Sequence, residues 1–181
     1  MTKSAAEIVR EYDPFPGVEG VHGVTFDGQH LFQLVADRIQ KIDPKTGRVL
    51  ATIPAPGGGG DSGMAWAEGT LWVGHYRERK IYQIDPETGA ILRTIESNRF
   101  VTGVTWVDGE MWHGTWEGDE SELRRIDPRT GEVLETIEMP RGIGVSGLES
   151  DGRDLFFCGG GGSGKVRSVR RPKRGSGARR L

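Results

Sequence analysis

Cysteine and histidine are scarce in this sequence, and long apolar runs are missing from it. The 181 residues include one cysteine, Cys158, and four histidines. A single cysteine excludes an intramolecular disulfide, and the cysteine and histidines lack the close spacing of a zinc site. No stretch approaches the ~20 apolar residues of a membrane helix, and residues 1–7 lack the apolar core of a signal peptide. We therefore expect a soluble cytoplasmic protein with no cofactor and no membrane partner.

Glycine, in contrast, is abundant. It makes up 29 of 181 residues, about twice the usual share of ~7%. The glycines have no three-residue period, which excludes a collagen helix. A hydrophobic content of only 35% would permit disorder, but five tryptophans and a regular repeat argue against it.

The basic residues are concentrated at the C-terminal end. Eight of the 24 lysines and arginines lie from Lys165 onward, where there is no acid, although the whole chain has a net charge of -2. The body of the protein is therefore acidic. We expect residues 1–173 to form a single domain and residues 174–181 to form a disordered tail. Because no aromatic residues interleave the tail's charges, we expect no specific nucleic-acid binding.

An internal repeat indicates the architecture. The tripeptide Ile-Asp-Pro begins at residues 42, 84 and 126, and x-Thr-Gly follows each copy. A glycine and an apolar residue open the repeat units at positions 23, 63, 103 and 147. Eight residues after each of these glycines comes an apolar-aromatic pair, which the alignment places at Leu155-Phe156 in the last unit.

Each unit predicts four short strands, named a to d. Strand a follows the opening glycine, strand b carries the aromatic pair, and strand c runs up to the Asp-Pro turn, after which strand d begins. Gly47, Gly89 and Gly131 end these turns and should adopt a left-handed conformation. The repeat length also suits helical repeats, but turn residues every 8–12 positions favour strands. The sequence therefore predicts an all-β, closed four-bladed β-propeller with antiparallel strands in each blade.

The chain ends suggest how the propeller closes. The fourth unit has no strand d, whereas residues 6–12 match strand d of the first unit. We predict that this N-terminal strand completes the last blade and buries Ile8 and Val9 against Val166 and Val169. Closure removes an exposed sheet edge. An eight-bladed ring of two chains fits the same pattern, so both a monomer and a homodimer remain open.

Residues that differ between the four copies are the candidates for a binding site. In a propeller, strand a lines the central channel, and the d-to-a and b-to-c loops share one face. The residues before the opening glycines are polar and should form a ring at the channel mouth. Asp61 and Glu149 are acids where the other units have small or apolar residues, and the ends of strand b add a second group of side chains. The polar ring comprises His22, Ser62, Thr102 and Ser146; the strand-b group comprises His75, Tyr76, Arg77 and Trp116.

Other conspicuous residues have structural explanations. The tryptophans at equivalent positions, Trp66, Trp72, Trp106 and Trp112, should pack between blades, and His113 should be a core or interface residue. Residues 159–165 fit a phosphate-binding loop pattern, but Val166 replaces its Ser/Thr and a strand follows, so we interpret them as a loop. His22, Asp61 and Glu149 could converge on a divalent metal only through the fold.

The blade sequence resembles glutamine cyclotransferase-like propellers and the wider group that includes virginiamycin B lyase. The similarity is greatest from Gly103 to Leu134, in the motifs Gly-Val-Thr-Trp, Arg-Ile-Asp and Thr-Gly-Glu-Val-Leu. It implies a transferase or lyase acting on a small molecule or peptide terminus at the channel mouth. Glu149 would be the proton shuttle, and His22 or Ser146 would polarise the substrate amide. Plant-type members have five blades, whereas this chain supplies four.

Two further functions fit the same sequence. The protein could be a binding module without chemistry that uses the polar ring and the aromatic side chains near it. It could also be a repeat scaffold without a natural ligand, as a natural or engineered variant in blade number.

Overall fold

The computed structural model describes residues 7–12 and 14–173, and it is all-β. Within that part of the chain, fifteen strands form four antiparallel sheets, which are the blades of a four-bladed β-propeller. The predicted fold class is confirmed. No helix among the described residues is long and apolar enough to cross a membrane. Blade 1 comprises β1 (Gly23–Phe26), β2 (Leu31–Val35), β3 (Arg38–Ile42) and β4 (Val49–Pro54); blade 2 comprises β5 (Asp61–Ala67), β6 (Thr70–His75), β7 (Lys80–Ile84) and β8 (Ile91–Glu96); blade 3 comprises β9 (Val101–Val107), β10 (Glu110–Glu117), β11 (Glu120–Ile126) and β12 (Val133–Glu138); blade 4 comprises β13 (Gly147–Ser150), β14 (Leu155–Gly159) and β15 (Val166–Arg170).

The turns between strands c and d have the predicted geometry. The glycines that end them have φ values of 75°, 74° and 79° in blades 1 to 3. In each turn the glycine amide donates to the aspartate carbonyl at 2.8 Å, as Gly89 does to Asp85. The aspartate side chain accepts further backbone amides, and these hydrogen bonds lower the pKa of Asp43 and Asp85. The repeated Asp-Pro motif is therefore structural.

Aromatic side chains fill the space between blades. Trp66 of blade 2 stacks on Phe32 of blade 1 with ring centroids 5.6 Å apart, and Trp106 of blade 3 packs on Trp72 of blade 2 at 5.4 Å. Trp112 of blade 3 is buried in the cluster between blades 3 and 4. The predicted inter-blade role of the tryptophans is confirmed.

The predicted closure by the N-terminal strand is wrong. Residues 7–12 form no strand, and Ile8 and Val9 are 73% and 89% exposed. Val166, their expected neighbour, is 74% exposed. The segment lies instead along blade 1, where the Tyr12 hydroxyl donates to the Pro44 carbonyl at 2.5 Å. Ala6 and residues 174–181, the predicted tail, lie outside the described residues.

A seam separates blade 4 from blade 1. The inner strands β1 and β5, β5 and β9, and β9 and β13 pack side by side, whereas β13 and β1 make few contacts or none. Among the described residues, the fourth sheet has three strands, so the outer edge of β15 is unpaired. The four blades therefore form a ring in which the first and last blades contact each other less than neighbouring blades do elsewhere.

Blade 4 also departs from the predicted register by one residue. Glu149 pairs with Phe157, whereas the matching residues Thr25, Ala65 and Thr105 pair with Phe32, Trp72 and Trp112. The turn before β14 contains one extra residue, which moves the aromatic pair of blade 4 to Phe156-Phe157. The predicted pair Leu155-Phe156 is corrected accordingly.

Candidate functional site

A cavity of about 390 Å³ opens between the inner strands of the four blades. We call it the inner cavity. The residues two positions after each opening glycine line it together, as the propeller geometry requires. Its lining contains one acid and no base among the described residues. The lining residues are Val24, Thr25, Phe26, Leu31, Ala65, Trp66, Thr105, Trp106 and Glu149.

Glu149 is the one charged group of the inner cavity. Its Oε1 atom accepts a hydrogen bond from the buried Thr105 hydroxyl at 2.5 Å and another from the Ser150 amide at 2.8 Å. No described residue hydrogen-bonds Oε2. The carboxylate is thus held in position through one oxygen, while the other oxygen is free to accept a ligand's donor.

Aromatic side chains line the same cavity as this carboxylate. Trp66 and Trp106 are partly exposed, and Phe26 is 53% exposed on the strand that borders the seam. An anionic group beside aromatic faces is an environment that favours a cation, because the ring quadrupole attracts positive charge. Among the residues that line the cavity, Glu149 was the one that comparison between units predicted to be a site residue.

The predicted polar ring is not an open mouth. Thr102 is 3% exposed, and no described residue hydrogen-bonds its hydroxyl. The Ser62 hydroxyl lies 2.8 Å from the Val101 carbonyl, to which it donates, and Ser146 accepts the Gly161 amide at 2.9 Å. His22 alone is exposed.

The hydroxyls have a packing explanation. Ser62, Thr102 and Ser146 lie beside glycines of strand b in their own blades, within 3.2 Å of where a side chain on those glycines would begin. Leu34 takes the glycine's place in blade 1, and there the residue before strand a is the exposed His22. These polar residues fill the space that a missing side chain leaves.

His22 and Glu149 lie at different heights along the inner strands. The opening glycines of neighbouring blades lie side by side. A Cβ on Gly23 would lie 3.7 Å from the Cα of Gly63, and a Cβ on Gly63 would lie 3.1 Å from the Cα of Gly103. Along the inner strands, His22 is one residue before the opening glycine of its blade, and Glu149 is two residues after the opening glycine of its own blade. A difference of three residues is about 10 Å along a strand. The catalytic pairing of these two residues remains a prediction that the geometry does not favour.

Asp61 and His75 meet in a second cluster, at the other end of the inner strands. The two residues pair across β5 and β6, and both are buried. No described residue hydrogen-bonds either carboxylate oxygen of Asp61. Burial, followed by the nearby charge of Glu78, raises the pKa of Asp61 to about 7. The His75 ring hydrogen-bonds the Gly59 carbonyl through Nε2 at 2.8 Å, so the glycine-rich segment 57–60 covers this cluster.

The remaining predicted ligand residues pack on their neighbours. Tyr76 stacks on Phe100 with ring centroids 4.7 Å apart, and its hydroxyl donates to the Trp116 carbonyl at 3.3 Å. Trp116 lies against Gly144 and Gly161. Arg77 is exposed. None of these residues lines the inner cavity, and their binding role stays a prediction.

Two buried groups have no chemical role in this arrangement. Burial raises the pKa of the Cys158 thiol to about 11, which leaves it protonated and unreactive. Burial lowers the pKa of His113 to about 4, so this histidine is a neutral interior residue, as predicted. The described residues contain no group of three His, Cys, Asp or Glu side chains that could hold a metal ion.

Comparison with known sequences adds a family. The family model described as "Domain of unknown function (DUF5074)" matches residues 8–150. The chain belongs to this DUF5074 family. No curated protein matches the sequence significantly. The family assignment therefore carries no activity.

Solved structures similar to this DUF5074 chain share its fold. A computationally designed protein, Ika4, has a TM-score of 0.56 and 17% identity, over 84% of this chain and 94% of that one. Glutaminyl cyclase from Myxococcus xanthus has a TM-score of 0.63 and 16% identity, over 84% and 74%. U3-55K has a TM-score of 0.61 and 21% identity, over 84% of this chain and 49% of that one. At these identities the likeness establishes the β-propeller fold alone.

Sequence reasoning missed most of the inner cavity. Phe26 and Thr105 gave no signal of their own, because each is an ordinary strand residue in its unit. The register of strand a, counted from the opening glycine, could have placed both beside Glu149.

Proposed function

We propose that this protein is a binding module whose inner cavity takes an organic ammonium group, such as the N-terminal amine of a peptide. The observation that carries the proposal is Glu149, an acid held by Thr105 in a cavity with aromatic walls and no basic residue. Glu149 itself is exposed at the opening of the cavity, so its charge faces solvent and can attract a cationic group from there.

The lining disfavours other ligand classes. An anion would meet the charge of Glu149 without any basic residue to offset it. Ca²⁺ and Mg²⁺ prefer six or more oxygen ligands, and one carboxylate with a threonine hydroxyl supplies too few. An alkylammonium group can satisfy the free Oε2 atom and place its carbons against Trp66 and Trp106.

The test is a binding titration with matched peptides. A short peptide with N-terminal glutamine and a free amine should bind the wild type, and the same peptide with an acetylated N-terminus should not. Removing the charge in Glu149→Gln should weaken binding tenfold or more, because charge-assisted contacts contribute about 1.5–3 kcal/mol. The exposed Glu132→Gln is the control and should bind as the wild type does.

Two results would reject the binding proposal. One is equal affinity for the free and acetylated peptides, and the other is an unchanged affinity in Glu149→Gln. Thermal unfolding of both variants confirms that the fold is retained.

A glutaminyl cyclotransferase is the second candidate, supported by the resemblance of the blades and by Glu149 as a possible proton shuttle. In that reaction the N-terminal amine attacks the side-chain amide carbon, the new ring amide forms and ammonia leaves. We expect no ammonia release above background, because His22 and Glu149 are separated by about 10 Å along the direction of the inner strands. Release that disappears in Glu149→Gln would instead assign the enzyme.

A further inference from the structure

The three interfaces between neighbouring blades follow one pattern. The opening glycine of each inner strand packs on that of the next, and an aromatic residue of strand b meets the following blade. Phe32 and Trp72 contact strand a of that blade, and Trp112 contacts Phe156 on strand b of blade 4. We call the side of a blade that faces the next blade its trailing face, and the side that faces the preceding blade its leading face. Each of the three interfaces joins a trailing face to a leading face.

The trailing face of blade 4 has no partner among the described residues. A Cβ on Gly147 would meet nothing within 4 Å, whereas one on Gly23, Gly63 or Gly103 would contact the next inner strand. Phe157 occupies the position of Phe32, Trp72 and Trp112, by its pairing with Glu149. Those three rings are each 1% exposed, and Phe157 is 38% exposed. This face therefore has the residues of an inter-blade contact without the contact.

The leading face of blade 1 is its counterpart. Val24 is 55% exposed, although the matching residues Met64, Val104 and Leu148 are at most 8% exposed. Phe26 is 53% exposed, and it matches Trp66 and Trp106, which pack on the preceding blade. Two apolar faces of complementary type thus border the seam.

The N-terminal segment contacts blade 1 in the way that strand d of one blade contacts the next blade. Arg10 donates to the Pro44 carbonyl at 2.8 Å, as Arg93 of strand d in blade 2 donates to Pro128 of blade 3 at 3.0 Å. Tyr12 lies against Gly47 as Ile95 lies against Gly131. Residues 7–12 therefore lie on blade 1 in the place of strand d of a preceding blade, and blade 4 lacks such a strand.

The pairing that β15 would make with a strand d can be inferred from the strand pairing in the other blades. Ser168 pairs with Phe157, as Lys41 pairs with Phe32, and Lys41 in turn pairs with Ala51 of strand d. The residue of the N-terminal segment that matches Ala51 is Arg10. An antiparallel pair then sets Arg167 opposite Glu11 and Val166 opposite Tyr12. Opposite charges meet, and the exposed Val166 becomes covered.

We propose that a second copy of this chain completes the structure. The trailing face of blade 4 in each chain packs on the leading face of blade 1 in the other, and β15 of each chain takes residues 7–12 of the other as its strand d. Two identical seams close under two-fold symmetry and give one ring of eight blades, in which the outer edge of β15 is paired. Val24 and Phe26 also line the inner cavity, but the dimer can be tested without any ligand.

The experiment is a mass measurement by light scattering after size exclusion. We expect the wild type to have twice the mass of the 19.8 kDa chain. Phe157→Ser should have the mass of one chain, because it removes the aromatic ring from the seam. The control is Leu134→Ser, a change of an equally exposed residue on strand d of blade 3, which should remain a dimer. Circular dichroism shows that each variant is folded.

Three results would overturn the proposal. A wild type that is monomeric at micromolar concentration excludes the second copy, as does an assembly larger than a dimer. A dimer that persists unchanged in Phe157→Ser excludes this surface.

Discussion

At the scale of single residues, Asp61 departs most from ordinary protein chemistry. Its carboxylate is buried, no described residue hydrogen-bonds it, and Glu78 adds a second negative charge nearby. Such a group is stable in the folded protein chiefly when it is protonated. The pKa of about 7 means that the folded state binds a proton that the unfolded chain has already released.

This pKa predicts a stability that depends on pH. The folded pKa lies above the usual value of 3.8, so the stabilisation is complete below about pH 4 and is lost as the pH rises towards 7. Asp61→Asn should therefore raise the melting temperature at pH 8 and change it little at pH 4. Thermal unfolding across this range measures the effect, with the exposed Asp37→Asn as control. Equal shifts at both pH values would contradict the buried-carboxylate explanation.

At the scale of elements, the turns between strands c and d have the same geometry in three blades. A positive φ at the last residue, a carbonyl that accepts the glycine amide and a side chain that accepts the preceding amides recur in three blades. Glycine is required because other residues are strained in this conformation.

Gly89→Ala should lower the free energy of unfolding by about 1 kcal/mol or more, through this strain. A Cβ at this position would also lie 2.9 Å from Cδ of Pro54. The midpoint of denaturant unfolding measures the loss. Gly20→Ala is the matched control, because Gly20 has no positive φ and an added Cβ would meet nothing within 4 Å. Equal midpoints for the two variants would contradict the structural role of the turn.

Local patterns explain which elements could be predicted from the sequence. The strands, the turns and the tryptophan contacts depend on residues within one unit or its neighbour, so the repeat shows them directly. The extra residue before β14 and the hydroxyls of Ser62 and Thr102 depend on partners in an adjacent strand. Glu149 stood out by comparison between units, but its partner Thr105 did not, because threonine is common in strands.

At the scale of the whole molecule, the sequence could not predict how the ring of blades closes. Whether the first and last blades meet depends on the rotation between blades summed over the chain, and no single residue pattern encodes that sum. The match of residues 6–12 to strand d was correct as an equivalence, since Arg10 and Tyr12 make contacts of the strand-d type. The partner assigned to that strand within the same chain was wrong.

The proposed dimer requires that β15 pairs with residues 7–12 of another chain. Cysteine trapping in Arg10→Cys/Ser168→Cys tests it directly, because residues paired across antiparallel strands lie within disulfide reach. The buried Cys158 stays protonated and does not interfere. We expect a covalent dimer under mild oxidation and none from the mismatched pair Leu134→Cys/Ser168→Cys. A disulfide within one chain, or no disulfide at all, would contradict it.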